Sequence, residues 1–265
     1  MNVRLIARYS ALLTMARLLV GCCGFPVGRS KYYSMFSAVE LQETFYNPPD
    51  PEKLAKLRRE APEGFVFTMK AWQAVTHPLD SPTWKRARVK PGKELADRYG
   101  FLRPTKEVFE AWELTARAAK ALGARLVVLQ TPPSFDASDE NLRNAVEFFS
   151  SVETGDFLLG WEPRGDWLRK PERIAEVVGR FSRVVHVVDP FRSKPVVERP
   201  TAYFRLHGIG PGEVNYRYRY TDEDLSTLCS IVSGLGAEEV YVMFNNVYMA
   251  QDASRFKEKC PASNK

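Results

Sequence analysis

The sequence predicts an α/β protein that folds as a single closed (β/α)8 barrel, and three observations support this fold class. Eight short apolar runs recur along the chain, helical patterns separate most of them, and no repeat or low-complexity tract divides the 265 residues. The apolar runs lack polar alternation, as expected for parallel strands buried on both faces. An open doubly wound sheet fits less well, because it usually has fewer strands and a glycine-rich phosphate turn after the first strand.

The apolar runs are the predicted strands, and they cover residues 18–23, 38–41, 65–69, 125–129, 157–161, 184–188, 202–206 and 240–244. Hydrophobic periodicity close to the helical repeat predicts helices over 50–60, 106–122, 138–150, 170–180, 221–235 and 249–259. The segment 72–103 is rich in proline and glycine, so a loop with one short helix is predicted there. The barrel domain is therefore predicted over 18–265, after an N-terminal extension over 1–17.

Capping residues support two of the predicted helices. Ser138 precedes Asp139 and Glu140, and Thr221 precedes the acidic run 222–224. A hydroxyl at the N-cap accepts a backbone N–H bond, and negative charge stabilises the first helical turn. Both helices are thus expected to begin just after these hydroxyl residues.

The charge balance favours anionic partners. The chain has 38 Lys and Arg against 32 Asp and Glu, a formal net charge of +6. The segment 85–106 holds eight basic and two acidic residues, so its own net charge of +6 equals that of the whole chain. This segment is either a solvated basic loop or a surface that contacts polyanions.

Cysteine usage and hydropathy predict a cytoplasmic protein with no membrane segment. The four cysteines are too few and too scattered for a disulfide framework, and none of their spacings matches a zinc ribbon or a redox pair. Residues 19–22 look like a lipoprotein cleavage box, but Arg17 interrupts the apolar segment and Met15 offers an alternative start. No stretch approaches the roughly 18 apolar residues that span a bilayer.

Polar residues at the strand ends define the candidate site. In a (β/α)8 barrel the C-terminal strand ends meet at one mouth, where catalytic residues usually lie. The candidates for catalysis are Glu40, Lys70, Glu162, Asp189 and His207. The candidates for binding a substrate or anion are Arg164, Arg205, Gln130, Asn245, Asn246 and His77. Because a buried unpaired charge is costly, such a ring is mutually neutralised, hydrated or occupied by a ligand, and a purely structural network is the alternative.

Eight short motifs, in the same order, resemble the family called domain of unknown function 72, also known as YecE-like. They include the runs GCCGF at 21–25, FVFTMKA at 65–71, QTPPSF at 130–135, YFRLHG at 203–208 and FNN at 244–246. The resemblance covers roughly residue 18 to the C-terminus and implies a TIM-type barrel. The first motif departs from the family, which usually has Thr or Ser and Trp at positions that hold cysteine and phenylalanine here. The family implies no established reaction.

The residues favour an enzyme that acts at the mouth on an anionic small molecule such as a sugar phosphate or nucleotide. Lys70, Arg164 and Arg205 would hold a phosphate or carboxylate, while Glu40, Glu162 or Asp189 would move a proton. Hydrolysis and isomerisation both use this arrangement.

A divalent metal is the alternative cofactor hypothesis. Glu162, Asp189 and His207, with Asn245 as a fourth ligand, suit Mg2+, Mn2+ or Zn2+ and are similar to the metal sites of xylose-isomerase-like barrels. A fourth carboxylate is missing, and Arg164 and Arg205 would repel a cation.

The alternative function is nucleic-acid binding or processing, in a protein resembling endonuclease-IV-type barrels. Contacts to phosphates are expected from Lys85, Arg86, Arg88 and Lys90. Stacking on bases is expected from Trp72, Trp84, Tyr99 or Phe101. The three histidines of the chain cannot form a histidine-rich trinuclear zinc site. A non-catalytic scaffold would leave the polar ring unexplained.

Overall fold

The computed structural model describes residues 16–261 and confirms the closed barrel. Eight parallel strands pair in chain order, and the first closes on the last. They are β1 (Arg17–Cys23), β2 (Ala38–Leu41), β3 (Val66–Lys70), β4 (Ala124–Gln130), β5 (Leu158–Glu162), β6 (Val184–Val188), β7 (Thr201–Leu206) and β8 (Glu239–Phe244). All eight lie where the apolar runs predict them.

Helices surround the strands. They are α1 (Arg29–Met35), α2 (Glu43–Tyr46), α3 (Pro51–Glu60), α4 (Gln73–Thr76), α5 (Lys106–Leu122), α6 (Asp139–Ser151), α7 (Pro171–Val178), α8 (Asp222–Ser233) and α9 (Met249–Lys259). Short 3-10 helices cover Pro82–Arg86, Lys93–Leu95 and Gly165–Arg169. The hydroxyls of Ser138 and Thr221 cap α6 and α8 as predicted, by accepting backbone N–H bonds.

Two connections differ from the sequence-based prediction. The segment 72–103 contains three short helices instead of one, because each turn is soon broken by a proline or glycine. Helix α1 is not predicted, since its seven residues bury only Tyr32 and no side chain caps its start. Within the described chain, the β6–β7 crossover is the one connection without a helix.

The cysteines do not all remain free. Cys229 on α8 and Cys260 after α9 form a disulfide bond, with their Cα atoms 5.5 Å apart. Sequence spacing does not predict this pair, because the packing of two neighbouring outer helices brings the residues together. Disulfides are rare in a reducing cytoplasm, so the cysteine count no longer supports the cytoplasmic prediction.

The N-terminal predictions are only partly covered by the structure. Residues 1–15 of the predicted extension lie outside the described residues, and β1 begins at Arg17, one residue before the predicted barrel boundary. The lipoprotein-like box at 19–22 forms the buried centre of β1, so cleavage there would remove a barrel strand. Among residues 16–261, no helix is both long enough and apolar enough to cross a membrane.

Side chains inside the barrel come from every second strand residue. The interior apolar residues form one cluster that includes Leu19, Val128, Val187, Tyr203 and Met243. The larger cluster lies between the strands and the helices. Because side chains alternate between the two faces of a strand, the inward residues nearest each C-terminal end meet at the mouth.

Close contact between β1 and β2 depends on a glycine. A Cβ atom on Gly21 would lie 2.0 Å from the carbonyl oxygen of Ala38, so the two backbones could not keep this separation. We expect Gly21→Ala to lower the free energy of unfolding by about 1–3 kcal/mol, the usual cost of overpacking. Urea unfolding of both proteins measures the loss.

Gly236→Ala is the matched control, because an added Cβ there has no neighbour within 4 Å. Equal losses of stability in the two variants would contradict the steric explanation.

Candidate active site at the mouth of the barrel

Alternation along the strands brings most of the predicted site residues to one end of the barrel. These residues occupy inward positions at or just after the C-terminal ends of their strands. Hydrogen bonds or ion pairs join them into one cluster. The members of this cluster, called the mouth cluster below, are Glu40, Lys70, Gln130, Glu162, Arg164, Asp189, Arg205 and His207.

Arg205 is the centre of the mouth cluster, and only 1% of the residue is exposed. Its Nε and Nη2 atoms donate to the two oxygens of Glu40, at 3.0 and 2.9 Å. Its Nη1 donates to Glu162 and also to Gln130 Oε1, the latter at 3.2 Å. Although burial alone would lower it, the pKa of Arg205 is raised well above its usual value by Glu162 and Glu40. Arg205 is therefore permanently charged.

Glu40 has no free lone pair for a substrate proton. One carboxylate oxygen accepts from Gln42 and Arg205, and the other accepts from Arg205 and from the Tyr203 hydroxyl at 2.9 Å. Tyr203 is held in turn by Thr68, whose hydroxyl oxygen is 2.6 Å away. A carboxylate has about four acceptor sites, and all four are used here.

Glu162 is similarly committed to arginines. One of its oxygens accepts from Arg164 and the other from Arg205. Burial by itself would raise the pKa of Glu162, but the charges of Arg164 and Arg205 hold it well below the usual range. Glu162 is consequently ionised at any physiological pH and does not supply a proton.

His207 is held neutral beside Arg164. Arg164 Nη2 lies 3.0 Å from His207 Nε2, and because a guanidinium can only donate, this nitrogen accepts and the ring proton is assigned to Nδ1. Burial and then the charge of Arg164 lower the pKa of His207. Asp189 accepts the backbone N–H of His207 at 3.0 Å and that of Phe191 at 3.1 Å, so it fastens the ends of β6 and β7 together.

Lys70 differs from the other charged residues of the mouth cluster. Its Nζ donates to Gln130 Oε1 at 3.0 Å and lies 3.8 Å from the centre of the Phe45 ring, and 6% of the residue is exposed. No carboxylate oxygen of residues 16–261 lies within 4.0 Å of Nζ, so Lys70 forms no ion pair with them. Burial and the nearby Arg205 lower the pKa of Lys70 to about 7, against the opposing charges of Glu162 and Glu40. Lys70 therefore exchanges its proton near neutral pH.

Of the three remaining predicted residues, Asn246 and His77 lie outside the mouth, whereas Asn245 shares the inward face of its strand. Asn246 faces the outside of the barrel. Its Nδ2 donates to Tyr218 O and Asp252 Oδ2, both at 2.8 Å, so it joins a loop to α9 and does not enter the mouth. Asn245 has inward parity at the end of β8. His77 lies behind Phe45, with ring centres 4.9 Å apart, and burial together with the charge of Lys70 lowers its pKa to about 3.

The predicted metal ligands do not fit a divalent cation. No group of three or more His, Cys, Asp or Glu side chains in the described part of the chain is arranged to hold a metal ion. The oxygens of Glu162 are bonded to arginines, and His207 Nε2 accepts from Arg164. The donor atoms are thus already used, and positive charge lies where a cation would bind.

The cysteines of the first motif have no chemical role at the mouth. Cys23 faces the interior near Arg205, and its pKa is raised well above the usual value by burial and by Glu40. Burial raises the pKa of Cys22 to about 12, and its backbone N–H donates to the Tyr32 hydroxyl at 2.7 Å. Both thiols stay protonated.

Two residues at the mouth are missed by the sequence-based prediction. Glu213 lies 3.6 Å from Arg164 and accepts the N–H of Gly165, and Tyr216 packs against His207 with ring centres 6.1 Å apart. Both belong to the long loop between β7 and α8. The alternation of Tyr and Arg over residues 216–220 is the signal that could have found this loop.

The basic segment lies at the same end of the barrel, because it follows β3. Lys85, Arg86, Arg88 and Lys90 are exposed as the sequence predicts. Two proposed base-stacking residues are not available, since Trp72 and Trp84 are buried in the core cluster. Tyr99 and Phe101 are half-buried.

The shifted pKa of Lys70 makes stability depend on pH. A lysine in the unfolded chain titrates near 10.5 and Lys70 in the folded chain near 7, so between these values the unfolded state binds more protons. Stability then rises with pH. Relative to Lys70→Met, we expect the free energy of unfolding of the wild type to increase by about 1.4 kcal/mol per pH unit between pH 7 and 10. Urea unfolding at three pH values measures this, and a difference independent of pH would refute it.

Comparison with a solved enzyme structure shows the shared fold. Endonuclease IV from Thermus thermophilus matches with a TM-score of 0.53 and 12% sequence identity, over 92% of this chain and 98% of that one. At this identity the likeness concerns the barrel alone.

Other matches identify the family. The UPF0759 protein YunF of Bacillus subtilis (strain 168) is 26% identical, and the match covers 81% of this chain and 79% of that protein. The crystal structure of a DUF72 family protein from Thermotoga maritima is 25% identical, with a TM-score of 0.62 over 91% of this chain and 98% of that one. The family model described as "Protein of unknown function DUF72" matches residues 29–264. These matches confirm the resemblance of the sequence motifs: the chain belongs to the DUF72 family.

Proposed function

We propose that the chain is an enzyme that binds a small anionic substrate at the barrel mouth and uses Lys70 to take up and release a proton. The observation that carries this proposal is the state of Lys70, which is buried beside two guanidinium groups and has no carboxylate partner among the described residues. A structural lysine would be expected to pair with one of the neighbouring carboxylates. Here both of those carboxylates bond to Arg205.

Unused hydrogen-bond donors support the binding of an anion. An ammonium group has three donors, and the one hydrogen bond of Lys70 Nζ within residues 16–261 goes to Gln130. Arg164 Nε is also buried, and it has no hydrogen-bond partner in this part of the chain. Buried polar groups are normally hydrogen-bonded, and a phosphate or carboxylate oxygen would satisfy these donors.

The carboxylates and arginines would provide fixed charge. Glu40 and Glu162 hold Arg205 and Arg164 in place without taking part in proton transfer. Positive charges that are positioned beforehand stabilise negative charge that develops on a substrate oxygen. Arg164 Nε, which has no partner among the described residues, would therefore stabilise an enolate or alkoxide oxygen.

Isomerisation of a sugar phosphate fits this site better than hydrolysis. A base with a pKa near 7 is suited to removing a proton next to a carbonyl group. Hydrolysis with a carboxylate as the base is disfavoured, because the lone pairs of Glu40 and the oxygens of Glu162 are committed to other partners. Lys70 would be the group that exchanges protons with the substrate.

Binding of phosphorylated compounds tests the proposal. We expect phosphate, ribose 5-phosphate and glucose 6-phosphate to raise the melting temperature of the wild type, because a ligand that binds only the folded state stabilises it. Lys70→Met should weaken this binding at least tenfold. Lys53→Met, an exposed position on α3, is the control and should bind as the wild type does. Equal binding of neutral ribose and glucose, or equal binding by Lys70→Met, would contradict the proposal.

Nucleic-acid binding is the second candidate function, and the exposed basic segment favours it. Lys85, Arg86, Arg88 and Lys90 lie in the segment after β3, at the mouth end of the barrel. Arg86 is held by Tyr46, with its guanidinium carbon 4.1 Å from the ring centre. A chain of phosphates that crosses the mouth could contact these side chains.

Salt dependence tests this second function. We expect the joint change of Lys85, Arg86, Arg88 and Lys90 to Gln to weaken binding of a labelled oligonucleotide. The slope of log affinity against log salt should also fall by about 0.7–0.9 for each phosphate that the variant no longer neutralises. Fluorescence anisotropy at several salt concentrations measures both effects.

The control for this experiment carries the same charge change at four exposed positions on α1 and α3, namely Lys31, Lys53, Lys56 and Arg59. Absence of binding at low salt, or equal effects of the two variants, would exclude this use of the segment.

A further inference from the structure

The surroundings of Lys70 are those of a nucleophile as well as a base. The Phe45 ring covers one side of the amine, Gln130 Oε1 holds it from another, and no described carboxylate fixes it as an ammonium ion. Gln130 Oε1 also accepts from Arg205, so the amine and a permanent positive charge share one acceptor. An amine that is desolvated and placed beside another cation is the type that attacks carbonyl carbons.

We infer that Lys70 forms an imine with the substrate, so that the substrate class is a small aldehyde or ketone that also carries an anionic group. This inference rests on the proposed function, because the same mouth and the same anion contacts hold the substrate. It adds a covalent bond between Nζ and the carbonyl carbon, after which the proton that Nζ takes up and releases is that of the imine nitrogen.

Reactivity requires the neutral amine, and burial of Lys70 favours that form. A pKa of about 7 leaves roughly half of Lys70 unprotonated at neutral pH. For an exposed lysine with an ordinary pKa, the unprotonated fraction at neutral pH is on the order of one in a thousand. Lys70 is therefore chemically distinct from the surface lysines of the same chain.

The reaction is balanced without a further reagent. The lone pair of the neutral Nζ forms the C–N bond, and the carbonyl π electrons move to oxygen, which takes up the proton that nitrogen loses. The C–O bond of this carbinolamine then breaks, and the oxygen leaves as water with the second proton of nitrogen. The products are one imine and one water molecule, and nothing is oxidised or reduced.

Access to the amine limits the size of the substrate. Only 6% of Lys70 is exposed, and Tyr216 and Glu213 from the β7–α8 loop lie over the neighbouring His207 and Arg164. This limited access favours short carbonyl compounds with a carboxylate or phosphate, whose anionic group would bind Arg164 Nε while the carbonyl reaches Nζ.

Borohydride trapping tests the inference. The purified full chain is incubated separately with glyoxylate, pyruvate and glyceraldehyde 3-phosphate, and sodium borohydride then reduces any imine to a stable secondary amine. Peptide mass spectrometry locates the adduct. We expect at least one probe to label Lys70 at least tenfold more than Lys53, with a yield that rises between pH 6 and 8.

Two variants separate a chemical role from a structural one. Lys70→Arg keeps the positive charge without a reactive primary amine and should lose the adduct, whereas Lys53→Arg should keep the labelling of Lys70. Propanal, which lacks an anionic group, should label Lys70 at least tenfold less than the best anionic probe. Labelling spread equally over the surface lysines, or a Lys70 yield independent of pH, would overturn the inference.

The result also distinguishes this inference from the proposed function. If no probe labels Lys70 while phosphate binding still depends on Lys70, the imine is refuted and the anion-binding site stands. If both labelling and phosphate binding are absent, the proposed function fails as well.

Discussion

The ion pairs of Arg205 are the interaction on which the rest of the barrel mouth depends. One guanidinium on β7 bonds to a carboxylate from β2 and another from β5, and thereby links three strands across the interior. Breaking such a buried pair from one side leaves an uncompensated charge, which typically costs about 3–5 kcal/mol. The geometry therefore persists only while all three residues are present.

These ion pairs of Arg205 determine the protonation states of the neighbouring residues. Because Arg205 and Arg164 occupy the oxygens of Glu162, that carboxylate stays ionised, and because Arg164 donates to His207, the imidazole stays neutral. Lys70 is then left without a carboxylate partner, and burial followed by the charge of Arg205 lowers its pKa. The unusual state of Lys70 thus follows from its burial and from how completely the neighbouring charges are paired.

The sequence predicts the barrel and the membership of the mouth cluster better than it predicts the roles of the residues. Apolar runs locate all eight strands, and their ends place Glu40, Lys70 and Arg205 together, because strand parity follows directly from residue number. The prediction for Asn246 is wrong because this residue lies one position past the inward-facing Asn245 and therefore faces outward. The metal hypothesis fails for a different reason: residue types identify donor atoms but do not show that Glu162 is already bonded. Helix packing, which joins Cys229 to Cys260, also cannot be derived from spacing.

The distance along the chain between the partners of Arg205 has a consequence for synthesis. Arg205 is made 165 residues after Glu40 and 43 after Glu162. At about 5–20 residues per second, Glu40 waits on the order of 10–30 seconds for its counter-ion. Until β7 leaves the ribosome, Glu40 has no guanidinium to neutralise it and Glu162 has only Arg164, so burying Glu40 in a dry core is costly. Burial of Glu40 is therefore expected to follow the arrival of the strand that supplies its arginine.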